Sequence, residues 1–199
     1  MAHPLLLLAT GLFVIRLVLF ATLHLLPGGV HPLRETVSDY AASPSARTRT
    51  IAAAASWTAA TAWAALGAGV LSDAALGANR LGVGAWLIVL GLVVAAMPFV
   101  PTDRSGQPAT IRGRIHLLLA IGWFTLAYST IGPLGRLLSG TPAFVVGVLD
   151  PVAAVSLAAL VISMVFPALR ARTFGASERV FILVVTLAPL IAAAALTAR

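Results

Sequence analysis

The chain is predicted to be all-α: a polytopic membrane protein folded as a six-transmembrane-helix bundle, in one domain over residues 1–199. Three observations carry this. Hydrophobic residues make up 60% of the chain and charged residues only 10%, against roughly 25% charged in soluble domains, so a water-facing surface could not be covered. Six apolar windows come close to the about 20 residues that a membrane helix needs. Those windows are too long, and too poor in period-two alternation, for barrel strands, and open strands would leave backbone groups unpaired in lipid.

The windows fall in order at 4–26, 51–71, 83–100, 115–131, 144–166 and 180–197. The first lacks a positive leader and an Ala-x-Ala cleavage site and carries Arg16 mid-run, so it is expected to be a retained helix rather than a signal peptide. Pro27-Gly28-Gly29 should end it. The second window is rich in Ala, Ser, Thr and Gly, whose small side chains allow close helix approach, so it is expected to be central. Asp73 and Gly77-Ala78-Asn79 mark the next turn, and Pro101 with Gly106 the one after the third window. Gly132-Pro133, Gly135 and Gly140-Thr141-Pro142 should separate the fourth window from the fifth, which Pro167 closes. Trp57, Trp63, Trp86 and Trp123 suit either interfacial anchoring or packing.

Every basic residue is Arg, and cysteine is absent, which excludes disulfides and thiolate metal sites. The formal charge of +7 suits anionic headgroups. Nucleic acid is not expected as a partner, because no soluble basic domain presents the charge. Loops 1, 3 and 5 hold Arg34, Arg47 and Arg49, then Arg104, Arg112 and Arg114, then Arg170, Arg172 and Arg179. The other side has Arg80, Arg136 and Arg199. Arginine excess marks cytoplasmic loops, so loops 1, 3 and 5 should face the cytoplasm. The same face gathers His24, His31, Glu35, Ser38, Asp39, Tyr40, Asp103, His116 and Glu178.

Val37-Ser38-Asp39-Tyr40 after the first window, Phe99-Val100-Pro101-Thr102-Asp103 closing the third, and Ile115-His116 opening the fourth resemble a bacterial and archaeal membrane family, domain of unknown function 998. The resemblance covers almost the whole chain. Val100 interrupts the more usual Phe-Pro-Thr-Asp, and Arg112-Gly113 stands where the family has His-Gly. That family is similar to the Frag1/DRAM/Sfk1 proteins. The likeness implies six helices and a link to phospholipid organisation and stress responses. It also implies a first loop facing away from the cytoplasm, opposite to the arginine count.

Several chemistries compete for these residues. Arg34, Arg104, Arg112 and Arg114 could hold a lipid phosphate bidentately, with His24, Ser38 and Tyr40 beside them. The bland alternative is ordinary positive-inside bias. Asp39, Asp103 and His116 could do acid–base work on a lipid or isoprenoid, or the two carboxylates could simply cap turns. His24, His31, His116, Asp39 and Asp103 suit a metal in residue type, but no ligand spacing supports one, and none is expected. Haem between His24 and His116 lacks a second pair and an attachment motif, so no cofactor is expected. Ser38 with Asp39 and a histidine makes a poor relay in sequence, without a Gly-x-Ser-x-Gly elbow. Arg16 and Asp150 lie deep in their windows and are expected to face the bundle interior as buried charges that could pair.

The leading expectation is therefore a multi-pass cell-membrane protein that binds an anionic lipid headgroup in a polar vestibule formed by loops 1 and 3. A membrane enzyme using Asp/His acid–base chemistry is the alternative. A transporter is disfavoured, since no broken-helix pair sits at matching depths. Membrane lipids are the expected partners, and self-association is left open.

Overall fold

The computed structural model describes residues 2–26, 29–100, 102–103 and 107–199, apart from the side chain of Ala171. The breaks read at Pro27, Gly28, Pro101 and Gly106, and the candidate Arg104, lie outside the described residues.

Six long helices follow one another: α1 (Ala2–Leu25), α2 (Ala46–Ser72), α3 (Asn79–Ala96), α4 (Ile111–Gly135), α5 (Gly140–Val165) and α6 (Pro167–Thr197). All six are long and apolar enough to cross a membrane, and the chain is a multi-pass membrane protein of six-helix-bundle class. Each helix packs on its chain neighbours, α6 returns to α1 and so closes the ring, and α6 also touches α4.

Local chemistry explains where the helices begin. Ser45 caps α2 by accepting the Thr48 N–H at 3.3 Å, and Thr110 caps α4 by accepting the Gly113 N–H at 3.1 Å. Gly77, at φ +69°, turns the chain between α2 and α3 in a conformation that costs glycine little. Aromatic and small residues then set the packing. Phe13 meets Trp63 edge-on at 5.3 Å in the core. Backbones of α2 and α3 nearly touch: a Cβ on Gly67 would lie 2.7 Å from the Gly84 carbonyl oxygen.

The sixth helix departs most from expectation. It starts at Pro167, thirteen residues before the window at 180, and takes up what was read as loop 5. Proline suits the first helical position because its missing N–H has no partner there anyway. The helix is also the most buried: 56% of its apolar window is inside, against 44% for α2. Centrality therefore falls on α6 as well as on the small-residue helix. Pro133 is no break but lies within α4, and Pro151 and Pro189 lie inside α5 and α6. Membrane helices tolerate such prolines when neighbours satisfy the freed carbonyls.

Candidate functional site

Loop 1 is anchored before it reaches the bundle. Thr36 and Asp39 form a reciprocal capping box around the 3-10 turn Val37–Tyr40. The Asp39 carboxylate accepts the Thr36 N–H at 2.7 Å and its hydroxyl at 2.8 Å. The turn then docks on α6, where Glu178 Oε2 accepts the Val37 N–H at 2.6 Å. Higher on α6, the Gly175 N–H donates to the Leu33 carbonyl at 3.0 Å. Arg179 Nη1 donates to the Glu35 carbonyl at 2.8 Å. A side chain at Gly175 would run into the Glu35 carbonyl and lie 2.6 Å from that of Pro32, so the loop lies directly on the helix.

A second cluster braces this seat. His24 Nδ1–H donates to the Phe20 carbonyl at 2.7 Å, which leaves Nε2 to accept from Arg179 Nε at 2.8 Å. Tyr40 is buried, with its ring 5.8 Å from both the His24 ring and the Arg179 guanidinium. His24 and Tyr40 thus hold the fold of the loop and do not line the cavity below it.

That cavity, about 270 Å³, is bounded by α1, α2, α3, α4, α6 and the 3-10 turn. Its polar lining is Arg16, Ser38, Arg49, Ser56, Thr102, His116 and Glu178. Leu23, Val94, Met97, Trp123 and Ile182 supply an apolar wall. His116 is 7% exposed, and its Nδ1–H donates to the Val100 carbonyl at 2.7 Å. Nε2 is therefore the acceptor, and it faces the Ser38 hydroxyl at 3.2 Å. The 3-10 turn of loop 1, the end of α3 and the start of α4 meet here at His116.

Arg16 is the other notable group. It is 7% exposed, nine residues from the end of α1, or about 14 Å along the axis. Among the described residues its guanidinium makes no hydrogen bond or ion pair. It only approaches the Phe20 ring, at 5.9 Å. Asp150 does not partner it: that residue is partly exposed on α5, which does not pack against α1.

The carboxylates of the sequence motifs face elsewhere. Asp103 accepts the Thr110 N–H and hydroxyl, each at 2.7 Å, at the start of α4. Those bonds, with a smaller contribution from the nearby His116 charge, hold its carboxyl below the usual range. Asp39 and Asp103 thus both act as turn caps, the plainer of their two readings. Arg34, Arg112 and Arg114 are exposed and do not line the cavity. The candidate histidines and carboxylates do not gather: no group of three able to hold a metal occurs among the described residues. Arg49 and Glu178 were not singled out from sequence as site residues. Glu178 fell in an expected loop, and Arg49 was read only as topology charge.

A second groove between α3 and α4 carries Asn79, Trp86, Ser129, Thr130 and Arg136. Its hydroxyls are already spent. Ser129 and Thr130 donate to carbonyls of their own helix, and Ser129 also receives the Trp86 N–H at 2.8 Å. The first cavity is the candidate site.

No curated protein and no solved structure matches the chain. The profile of one family matches residues 7–195, a stretch that takes in loop 1, the end of α3 and the start of α4. On that match the chain belongs to the family described as "Protein of unknown function (DUF998)".

Proposed function

We propose that the cavity binds the anionic headgroup of a membrane lipid, with Arg16 as its counter-ion and Arg49 at the mouth. The observation that carries this is the unpartnered guanidinium of Arg16 inside a cavity lined by both polar and apolar side chains. A charge at membrane depth costs at least ~2.5 kcal/mol unless satisfied. A phosphate would satisfy Arg16 with two parallel N–H···O bonds. Ser38 and Thr102 offer hydroxyls to the same headgroup, and Val94, Met97 and Trp123 suit the first methylenes of an acyl chain. The protein acts in this reading as a lipid-recognising component of the cell membrane. Acid–base catalysis by Asp39 or Asp103 has less support, because both carboxylates are engaged as caps.

Native mass spectrometry of the detergent-extracted protein tests the reading. The expected result is a lipid adduct that favours phosphatidylglycerol over phosphatidylcholine and is lost in Arg16→Met. Equal retention of both lipids, or an adduct unchanged in Arg16→Met, would overturn it.

A further inference from the structure

We propose that Ser38 and His116 form a nucleophile–base pair that cleaves an ester of a membrane amphiphile held in the cavity. This shares the cavity and Ser38 with the headgroup reading but does not require Arg16 to bind a ligand.

The hydroxyl of Ser38 differs from those of the helix-borne serines. Ser56, Ser129, Ser156, Ser163 and Ser177 each donate to a carbonyl of their own helix. Ser38 instead faces an imidazole nitrogen on another element at 3.2 Å. The tautomer is the one catalysis needs: the Val100 carbonyl takes Nδ1–H at 2.7 Å, so Nε2 presents its lone pair to the hydroxyl. A nucleophile, a base and a group orienting the base are thus in sequence. Here a backbone carbonyl does the orienting that a carboxylate does in the familiar triad.

Position matters as much as distance. Both Ser38 and His116 line the cavity, beside the apolar wall of Leu23, Met97 and Ile182. Arg49 lines the same cavity and is itself exposed, so the cavity opens to the protein surface, where water and a released alcohol can pass. Two anchors hold the nucleophile's turn rigid: the capping box and the Glu178 bond to the Val37 N–H.

The reaction balances without a further reagent. Ser38 Oγ bonds to the ester carbonyl carbon while His116 Nε2 takes the hydroxyl proton. Collapse of the tetrahedral intermediate breaks the ester C–O bond, and His116 returns that proton to the leaving alkoxide. Water then attacks the acyl-Ser38, giving its proton to His116. The acyl–Oγ bond breaks, the carboxylic acid leaves, and the proton returns to Ser38.

An alkyl fluorophosphonate, which reacts with activated serines, is the probe. Incubated with the folded, detergent-solubilised protein, it should add one label per chain, mapped to Ser38 by peptide mass spectrometry. Ser38→Ala should abolish the label. His116→Gln should slow labelling by at least about 100-fold, the low end of a general base's contribution. A hydrogen bond that merely staples loop 1 to α4 would produce no label. The proposal fails if the folded wild-type protein stays unlabelled, if the label maps elsewhere, or if folded His116→Gln labels at the wild-type rate. Should His116→Gln not fold, the labelling of wild type against Ser38→Ala and the mapped position still decide.

Discussion

Replacing Gly175 with Ala tests whether loop 1 lies on α6 as closely as described. In a free helix this change is stabilising by about 1 kcal/mol, because alanine loses less backbone entropy. Here the added Cβ would overlap the Glu35 carbonyl and lie 2.6 Å from the Pro32 carbonyl oxygen and 2.8 Å from Arg179 Nη1. Two of those neighbours are backbone atoms, so relief requires the loop to move. Overpacking of this kind costs about 1–3 kcal/mol. Lifting the loop also endangers two hydrogen bonds, Gly175 N–H to Leu33 and Arg179 to Glu35, worth about 1 kcal/mol each. Setting the propensity gain against these losses leaves a net destabilisation of about 2–4 kcal/mol. Reversible unfolding in mixed micelles would measure it, with limited proteolysis of loop 1 as a second readout. The two accounts differ in sign. A variant more stable than wild type would mean that propensity alone operates and that the loop does not rest on the helix.

Two further outcomes follow from the charges. Asp103 has a lowered pKa in the folded state, so its ionised form contributes stability above its unfolded value of about 3.9, and that contribution is lost as pH falls through the folded value. The melting-temperature gap between wild type and Asp103→Asn should therefore be widest near neutral pH and close toward pH ~2; a gap independent of pH would refute the capping role. Arg16→Met and Asp150→Asn should combine additively, within about 0.3–0.5 kcal/mol in a double-mutant cycle, since no ion pair joins them. A coupling well above that would reinstate the pairing suggested by their depth in sequence.

Hydropathy made the helices legible, and it erred where charge and apolar length overlap. Arg170, Arg172, Glu178 and Arg179 kept the first half of α6 out of any apolar window, although the backbone there is helical from Pro167. Reading α6 as beginning at 180 hid Glu178, which holds the turn carrying Ser38. His116 and Ser38 could be picked out because polar residues at the edge of apolar runs are rare in this chain. That they share one face could be read from the arrangement of the windows; that they come within 3.2 Å could not, because 78 residues separate them and only the ring of helices sets the distance. Asp39 and Asp103 were visible as candidates for two roles. The choice between them turned on threonines three and seven residues away, Thr36 and Thr110, whose donors claim both carboxylates. Arginine counting assessed Arg49 by its side of the membrane and had no means of telling which arginine borders a cavity.

Loop 1 is fastened to α6 at Leu33, Glu35 and Val37, whereas His116 belongs to α4. The gap between Ser38 and His116 is therefore a gauge of how these two helices lean against each other. A tilt of α6 would carry the serine with it and leave the imidazole behind, so a change in bilayer thickness that leans one helix against the other would register first in this hydrogen bond.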